Sequence, residues 1–177
     1  YIYPPAPSMR LATDVISFCA ERVPKWNPIS ISGYHMREAG STAVQEIAFT
    51  LAHALAYVDA ALARGLAIDD FAPRLSFFFN AHSHFLEEVA KFRAARRLWA
   101  RVLEECGVPA EDRHSATYGV TTGRMITSVD PWVNMLRVTT ATFAAGTAGA
   151  DGVTVTPLDR ALGEPGARPE GLFFPDT

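Results

Sequence analysis

Short strand-like runs alternate with longer helix-like runs along most of the chain. Runs of β-branched and aromatic residues bounded by Pro, Gly or polar residues are typical of strands, whereas apolar residues every three or four positions are typical of helices. The predicted strands cover residues 29–35, 75–81, 115–120 and 152–157. The predicted helices cover residues 8–21, 41–64 and 83–106, and a further helix begins at Asp130, a capping residue followed by Pro131.

The two longest predicted helices each carry an apolar stripe that we expect to face a core. In the first the stripe consists of Ala43, Ile47, Leu51, Ala54 and Val58. In the second it consists of Phe85, Val89, Phe92, Leu98 and Val102. Gly65 and Gly107 follow these helices, where a glycine commonly ends a helix.

Strands that alternate with helices predict an α/β fold with parallel strands and right-handed crossovers. The pattern gives one preceding helix and four βα units, the last without its helix. Since a closed (β/α)₈ barrel needs about 250 residues, this chain of 177 residues is predicted to be a partial (β/α)₈ TIM-type barrel. A small open α/β sheet is the alternative. We expect a barrel domain over residues 1–163 and an irregular tail over residues 164–177.

Composition narrows the class of protein without identifying it. Hydrophobic residues make up 49% of the chain and charged residues 20%, as expected of one folded domain. The net charge of −3 excludes a strongly basic nucleic-acid-binding protein. Two cysteines, Cys19 and Cys106, cannot form a disulfide framework, which favours a reducing, cytoplasmic location. No secretory or transmembrane segment is expected.

The residues that follow the first predicted strand are candidates for chemistry, because the carboxyl ends of parallel strands carry functional groups. Tyr34 and His35 end that strand, and Arg37 and Glu38 follow them. An imidazole there can donate a hydrogen bond to a substrate carbonyl or move a proton. Alternatively, His35 closes the strand by bonding to a backbone carbonyl.

Two further groups have an ordinary structural interpretation beside a functional one. His82 and His84 have the spacing of a metal pair, but helix capping is favoured and no metal site is predicted. Arg74 could bind a phosphate or carboxylate, or form an ordinary surface pair. The basic run of residues 91–101 could meet a polyphosphate, although we favour a solvated helix face with Glu87–Lys91 and Arg101–Glu105 pairs.

Several long stretches resemble one known family. They are YIYPPAPSMR (1–10), SISGYHMREAG (30–40), FAPRLSFFFN (71–80), AKFRAARRLW (90–99) and DPWVNMLR (130–137). These stretches resemble the second half of the substrate-binding barrel of the coenzyme-B12-dependent acyl-CoA mutases, the family of methylmalonyl-CoA and isobutyryl-CoA mutases. The resemblance covers about residues 1–163. It implies a (β/α)₈ barrel that works with a separate flavodoxin-like cobalamin domain.

The resemblance also implies roles for individual residues. His35 matches a catalytic histidine that donates a hydrogen bond to the substrate thioester carbonyl, and Tyr34 lies beside it against substrate and corrin. Glu38 matches a cofactor-binding glutamate, and Arg74 and Ser76 match residues that contact coenzyme A. The implied reaction is an adenosylcobalamin-dependent carbon-skeleton isomerisation such as methylmalonyl-CoA to succinyl-CoA.

Other features of the resemblance limit what this chain is expected to do alone. This chain has no Asp-x-His-x-x-Gly motif, so the lower cobalt ligand is expected from another domain or subunit. A half barrel would leave strand edges and its apolar interior uncovered. We therefore expect this chain to be inactive alone. Its expected partners are an acyl-CoA substrate and a cobalamin-binding domain or subunit, and it is expected to form a homo- or hetero-oligomer. No nucleic-acid or membrane partner is expected.

The second half of the chain departs from the pattern of catalytic family members. Val120-Thr-Thr-Gly-Arg124 stands where Gln-Thr-Ser-Gly-Trp or similar is usual, so that a side-chain amide is lost. Residues 149–157 replace the usual Gly-Gly-Thr-Gln-Ser-Leu-His-Thr-Asn, and Arg160 replaces a glutamate. Residues 130–137 and 149–155 resemble instead the small, non-catalytic mutase subunit. The alternative function is therefore a non-catalytic mutase-like subunit that supports a catalytic partner.

Overall fold

A computed structural model describes residues 3–163 of the chain, so the expected tail at 164–177 lies outside the described residues. The helices are α1 (Pro5–Arg22), α2 (Tyr34–Glu38), α3 (Ala43–Ala63), α4 (Ile68–Phe71), α5 (Phe85–Glu105) and α6 (Val133–Thr147). The strands are β1 (Ser30–Ser32), β2 (Ser76–Ala81), β3 (Ala116–Thr121) and β4 (Gly152–Thr154). Short 3₁₀ turns occupy Ala72–Arg74, Ala110–Asp112, Gly123–Met125 and Arg160–Leu162.

The four strands form one parallel sheet in the order β1-β2-β3-β4. Because consecutive strands are neighbours and parallel crossovers are right-handed, the connecting helices α3, α5 and α6 lie on the same side of the sheet. The predicted partial α/β barrel is therefore confirmed.

The two faces of the sheet have different surroundings. Ile31, Phe77 and Phe79 point to the helices and are buried in the core, where Phe77 meets Trp99 with ring centroids 5.0 Å apart. On the other face, Phe78 stacks on Tyr118 with centroids 4.9 Å apart. An open groove runs along this second face, lined by Ser30, Ser76, Phe78 and Tyr118 together with Lys25, Trp26 and Asn27. This face corresponds to the interior of a barrel.

Helix α3 confirms the predicted ends and most of the predicted inward stripe. Thr42 and Gln45 form a reciprocal capping box at its start. At its other end, Gly65 adopts the left-handed φ of +85° that a glycine after a helix commonly takes. Ala43, Ile47, Ala54 and Val58 are buried in the core, while Leu51 is half-buried.

By length and composition alone, α3 could cross a membrane. Core helices of soluble proteins meet the same criterion, and α3 packs as such a helix, against α1, α5 and β1. It also buries a charged side chain, Glu46, in an ion pair with a neighbouring helix. The packing therefore favours a core helix.

Several boundaries differ from the prediction; strand β4, for example, ends at Thr154 instead of residue 157. The first strand ends at Ser32, and Tyr34 and His35 lie in the following helix α2 instead of at the strand's end. Asp130 does not cap α6, because its φ is +48° and the helix begins at Val133. A capping residue needs an extended backbone, which Asp130 lacks.

The inward face of α5 was predicted incorrectly at two positions. Leu98 is 46% exposed, whereas Trp99 beside it is buried. Lys91, assigned above to a solvated face, is only 3% exposed. A prediction from hydrophobic periodicity assigns every charged residue to the surface. A charged residue in the core therefore displaces the predicted inward face of the helix.

Gly33 joins β1 to α2 and allows their close approach to α3. A Cβ atom at this position would overlap the hydroxyl of Thr50 and lie 3.0 Å from Cγ of Glu46, and both side chains are fully buried. Gly33→Ala is therefore expected to destabilise the protein by about 1–3 kcal/mol, measured by urea unfolding. Gly146→Ala on α6 is the control, because nothing lies within 4 Å of its Cβ position. Equal stability of the two variants would contradict the expectation.

Candidate active site

A cluster of polar side chains forms where the carboxyl ends of β2 and β3 meet α2. The Glu38 Oε1 atom accepts a hydrogen bond of 2.7 Å from the Asn80 side-chain amide and another from the Thr122 hydroxyl. Arg124 donates to the Glu38 backbone carbonyl over 2.7 Å. The end of β2 and the loop after β3 thus hold one carboxylate at the edge of the sheet.

The second oxygen of this carboxylate faces Gly123. A Cβ atom on Gly123 would lie 3.6 Å from Glu38 Oε2 and 3.9 Å from the Tyr34 hydroxyl. Within residues 3–163, Oε2 makes no side-chain hydrogen bond. Glu38 therefore presents one held oxygen and one that can accept a hydrogen bond from a ligand.

Tyr34 shares this side of α2 with Glu38. Burial raises the pKa of the Tyr34 phenol above 10.0, and the negative charge of Glu38 raises it further. A hydrogen bond with the Gly123 backbone and, to a lesser degree, the positive charge of Arg160 oppose this rise in the pKa. At neutral pH the phenol consequently stays protonated and can donate a hydrogen bond.

His35 lies on α2 but is separate from the Glu38 cluster. Its side chain is exposed and makes no hydrogen bond within the described part of the chain, so the expected alternative of a bond to a backbone carbonyl is not observed. The pKa of His53 on α3 is lowered, first by burial and then by the proximity of His35. The imidazole of His35 is available to a ligand.

Arg74 and Ser76 lie at the opposite end of β2 from this cluster. Arg74 is exposed on the turn before the strand, and the buried Ser76 hydroxyl lies 2.9 Å from that of Ser30. Six residues of extended chain span about 20 Å. Only an elongated ligand lying along the open sheet face could contact both the Arg74–Ser76 end of β2 and the Glu38 cluster.

A buried group of charges, unpredicted from the sequence, lies behind the cluster. Lys91 Nζ is 2.8 Å from Glu46 Oε2 and 2.6 Å from Glu88 Oε2, and all three side chains are buried. The second contact is an ion pair and not a hydrogen bond, because no Glu88 oxygen meets hydrogen-bond geometry. Burial raises the pKa of Glu46, while Lys91 opposes that rise.

The remaining candidates have structural partners. Glu87 lies 3.9 Å from Arg37 instead of pairing with Lys91 as predicted. The predicted Arg101–Glu105 pair is confirmed at 2.8 Å.

The two candidate histidines lie side by side. The rings of His82 and His84 are 5.4 Å apart, and burial lowers the pKa of His82. Among residues 3–163, no three His, Cys, Asp or Glu residues group as metal ligands.

The comparison with known proteins decides the family. The family model described as "Methylmalonyl-CoA mutase" matches residues 1–170 of the chain. The chain belongs to the methylmalonyl-CoA mutase family. A methylmalonyl-CoA mutase of Escherichia coli is 46% identical over 168 residues, which are 93% of this chain and 23% of that protein. The mitochondrial human methylmalonyl-CoA mutase is 43% identical over 167 residues, which are 93% of this chain and 22% of that protein.

This member of the methylmalonyl-CoA mutase family thus spans less than a quarter of the length of these relatives. The family implies a B12-type cofactor, and one observation tests its fit. Glu38 is fixed through Oε1 and leaves Oε2 to accept a hydrogen bond, as the hydroxyl groups of an adenosyl ribose would require. The Oε2 oxygen of Glu38 is therefore compatible with a hydroxyl-bearing ligand such as the nucleoside part of this cofactor.

Proposed function

We propose that this chain is part of an adenosylcobalamin-dependent acyl-CoA mutase that isomerises a carbon skeleton, as in methylmalonyl-CoA to succinyl-CoA. The observation that carries the proposal is the arrangement on α2. This short helix presents an exposed imidazole at His35, a protonated phenol at Tyr34 and a held carboxylate at Glu38, all at the carboxyl edge of a partial barrel.

Each site residue has a role that suits its surroundings. His35 donates a hydrogen bond to the thioester carbonyl, where negative charge develops during rearrangement. Tyr34 lies against the substrate and excludes water, and Glu38 accepts hydrogen bonds from the cofactor's hydroxyl groups. When bound, adenosylcobalamin supplies the radical that initiates the reaction.

The groups at the other end of β2 suit the rest of the substrate. Arg74 is an exposed planar cation that can bind a phosphate with two parallel hydrogen bonds. Ser76 lines the open groove beside Lys25 and Trp26. The coenzyme A moiety would lie along this groove, with Arg74 and Ser76 contacting it and the thioester near His35.

The proposal includes partners, because the chain supplies only part of the catalytic machinery. The rest of the substrate barrel would come from other sequence, and a protein ligand to cobalt would come from a cobalamin-binding domain or subunit. We propose that these parts assemble in a homo- or hetero-oligomer. We propose that this chain alone does not turn over acyl-CoA. A cytoplasmic, reducing location fits the unpaired Cys19 and Cys106.

A non-catalytic supporting subunit is the second candidate. Arg160 lies near Tyr34, and its positive charge opposes, without reversing, the rise that burial causes in the pKa of the phenol. By the resemblance described above, a glutamate usually stands there in catalytic members, so the charge facing the phenol is reversed. This observation favours a site that has lost its catalytic role.

Calorimetric titration with adenosylcobalamin and methylmalonyl-CoA tests the proposal. The 177-residue chain is titrated alone and then within the assembly that carries the remaining barrel and cobalamin domain. Binding and turnover in the assembly, with neither in the chain alone, are the expected result. An assembly that binds neither ligand would refute the mutase proposal, and turnover by the isolated chain would refute the dependence on partners.

A further inference from the structure

Strand β2 continues beyond the end of its neighbour β1. Ser76 donates its backbone N–H to Ile29, and the Phe78 carbonyl accepts a hydrogen bond of 2.8 Å from Gly33. Alternate residues of a parallel strand bond to the same neighbour, so the backbone groups of Asn80 also point toward β1. At that level the chain has already turned into α2. The buried N–H and C=O of Asn80 therefore need other partners.

Two charged side chains supply those partners. Glu46 Oε1 accepts the Asn80 backbone N–H over 2.7 Å, and Lys91 Nζ donates to the Asn80 carbonyl over 2.5 Å. The same two side chains bind each other over 2.8 Å. The ion pair between α3 and α5 thus occupies the place of a missing residue of β1.

The side chain of Asn80 extends this arrangement to the candidate site. Asn80 is fully buried, and its Nδ2 donates to Glu38 Oε1 over 2.7 Å. A carboxylate can only accept a hydrogen bond, so it fixes which end of the amide faces it. Because both backbone groups of Asn80 are held, its side chain is a rigid support for the carboxylate.

We propose that Asn80 is a positioning residue that orients Glu38 so that Oε2 faces the ligand, and that the Glu46–Lys91 pair holds Asn80 in place. This inference rests on the proposed role of Glu38 in binding the cofactor. Asn80 acts through Glu38, because the residue is fully buried and its amide nitrogen donates to that carboxylate.

A double-mutant cycle in the complete assembly tests the inference, with the dissociation constant of adenosylcobalamin measured from its visible absorption. Asn80→Ala is expected to weaken binding about tenfold, the usual effect of losing a hydrogen bond to a charged group. Glu38→Ala is expected to weaken it at least as much. The double variant should bind no more weakly than Glu38→Ala, since Asn80 then has nothing to position.

Asn134→Ala is the matched control. Asn134 is also a fully buried asparagine, but its amide bonds to Thr127 and Leu158. Any loss of affinity that it causes should add to that of Glu38→Ala. Full additivity between Asn80→Ala and Glu38→Ala would overturn the inference, because it would show a general structural effect.

A second measurement tests the contact between Asn80 and Glu38 independently of whether Glu38 binds the cofactor. The side-chain NH₂ resonances of Asn80, observed by NMR without any ligand, should shift on Glu38→Ala and remain in place on Asn134→Ala. If Glu38→Ala leaves cofactor affinity unchanged, the proposed role of Glu38 fails. If the Asn80 resonances do not respond to Glu38→Ala, the contact itself is wrong and the positioning inference fails.

Discussion

Lys91→Met is expected to destabilise the protein by about 3–5 kcal/mol, the usual loss when one partner of a buried ion pair is removed. The substitution would leave the carboxylates of Glu46 and Glu88 in the core without their shared cation. It would also remove the donor to the Asn80 carbonyl. Urea unfolding measures the change as a lower midpoint at an unchanged slope.

Arg97→Met is the matched control for that experiment. Arg97 lies on the same helix and is exposed, so its replacement should change stability by less than about 0.5 kcal/mol. If Lys91→Met proves as mild as Arg97→Met, then Lys91 lies on a solvated face and the buried ion pair is wrong.

His35→Ala is expected to lower turnover of acyl-CoA by about 10²–10⁴-fold in the complete assembly, the usual range for a lost general-acid or polarising contact. The reason is that the imidazole is the proposed donor to the thioester carbonyl. Steady-state kinetics should show the loss in kcat. Adenosylcobalamin affinity should stay unchanged, because Glu38 and its partners remain in place.

His114→Ala provides the comparison for His35→Ala. His114 is also exposed, but it lies just before β3, with its Nδ1 atom 3.1 Å from the Glu111 carbonyl. Turnover should be unaffected by its loss. Full activity of His35→Ala would instead favour the non-catalytic subunit, in which α2 retains its residues without using them.

The architecture followed from the sequence because periodicity reports which side of each element is buried. All four strands and their parallel pairing were predicted, with boundaries within a few residues of those observed. The glycine after α3 was also predicted, since its left-handed backbone suits a glycine. Local chemistry of this kind needs no knowledge of distant contacts.

The candidate site was only partly predictable. Tyr34, His35 and Glu38 were identified, but their grouping on one short helix was not. Asn80 and Thr122 were missed as partners of Glu38, because their hydrogen bonds join residues far apart in the chain. The only local sign was a polar asparagine at the end of an otherwise apolar strand.

Two side chains take the place of part of β1 beside the end of β2. This arrangement has a consequence for how the sequence of the region can change during evolution. Glu46 and Lys91 bind the backbone N–H and C=O of Asn80 at the end of β2. The segment after Ser32 therefore does not need to form backbone hydrogen bonds with Asn80. Positions of α2 outside the candidate site can then be exchanged during evolution while the scaffold beneath them keeps its pairing. We expect inherited variation to be tolerated at the positions of α2 that carry no site residue, and to be selected against at the ion pair.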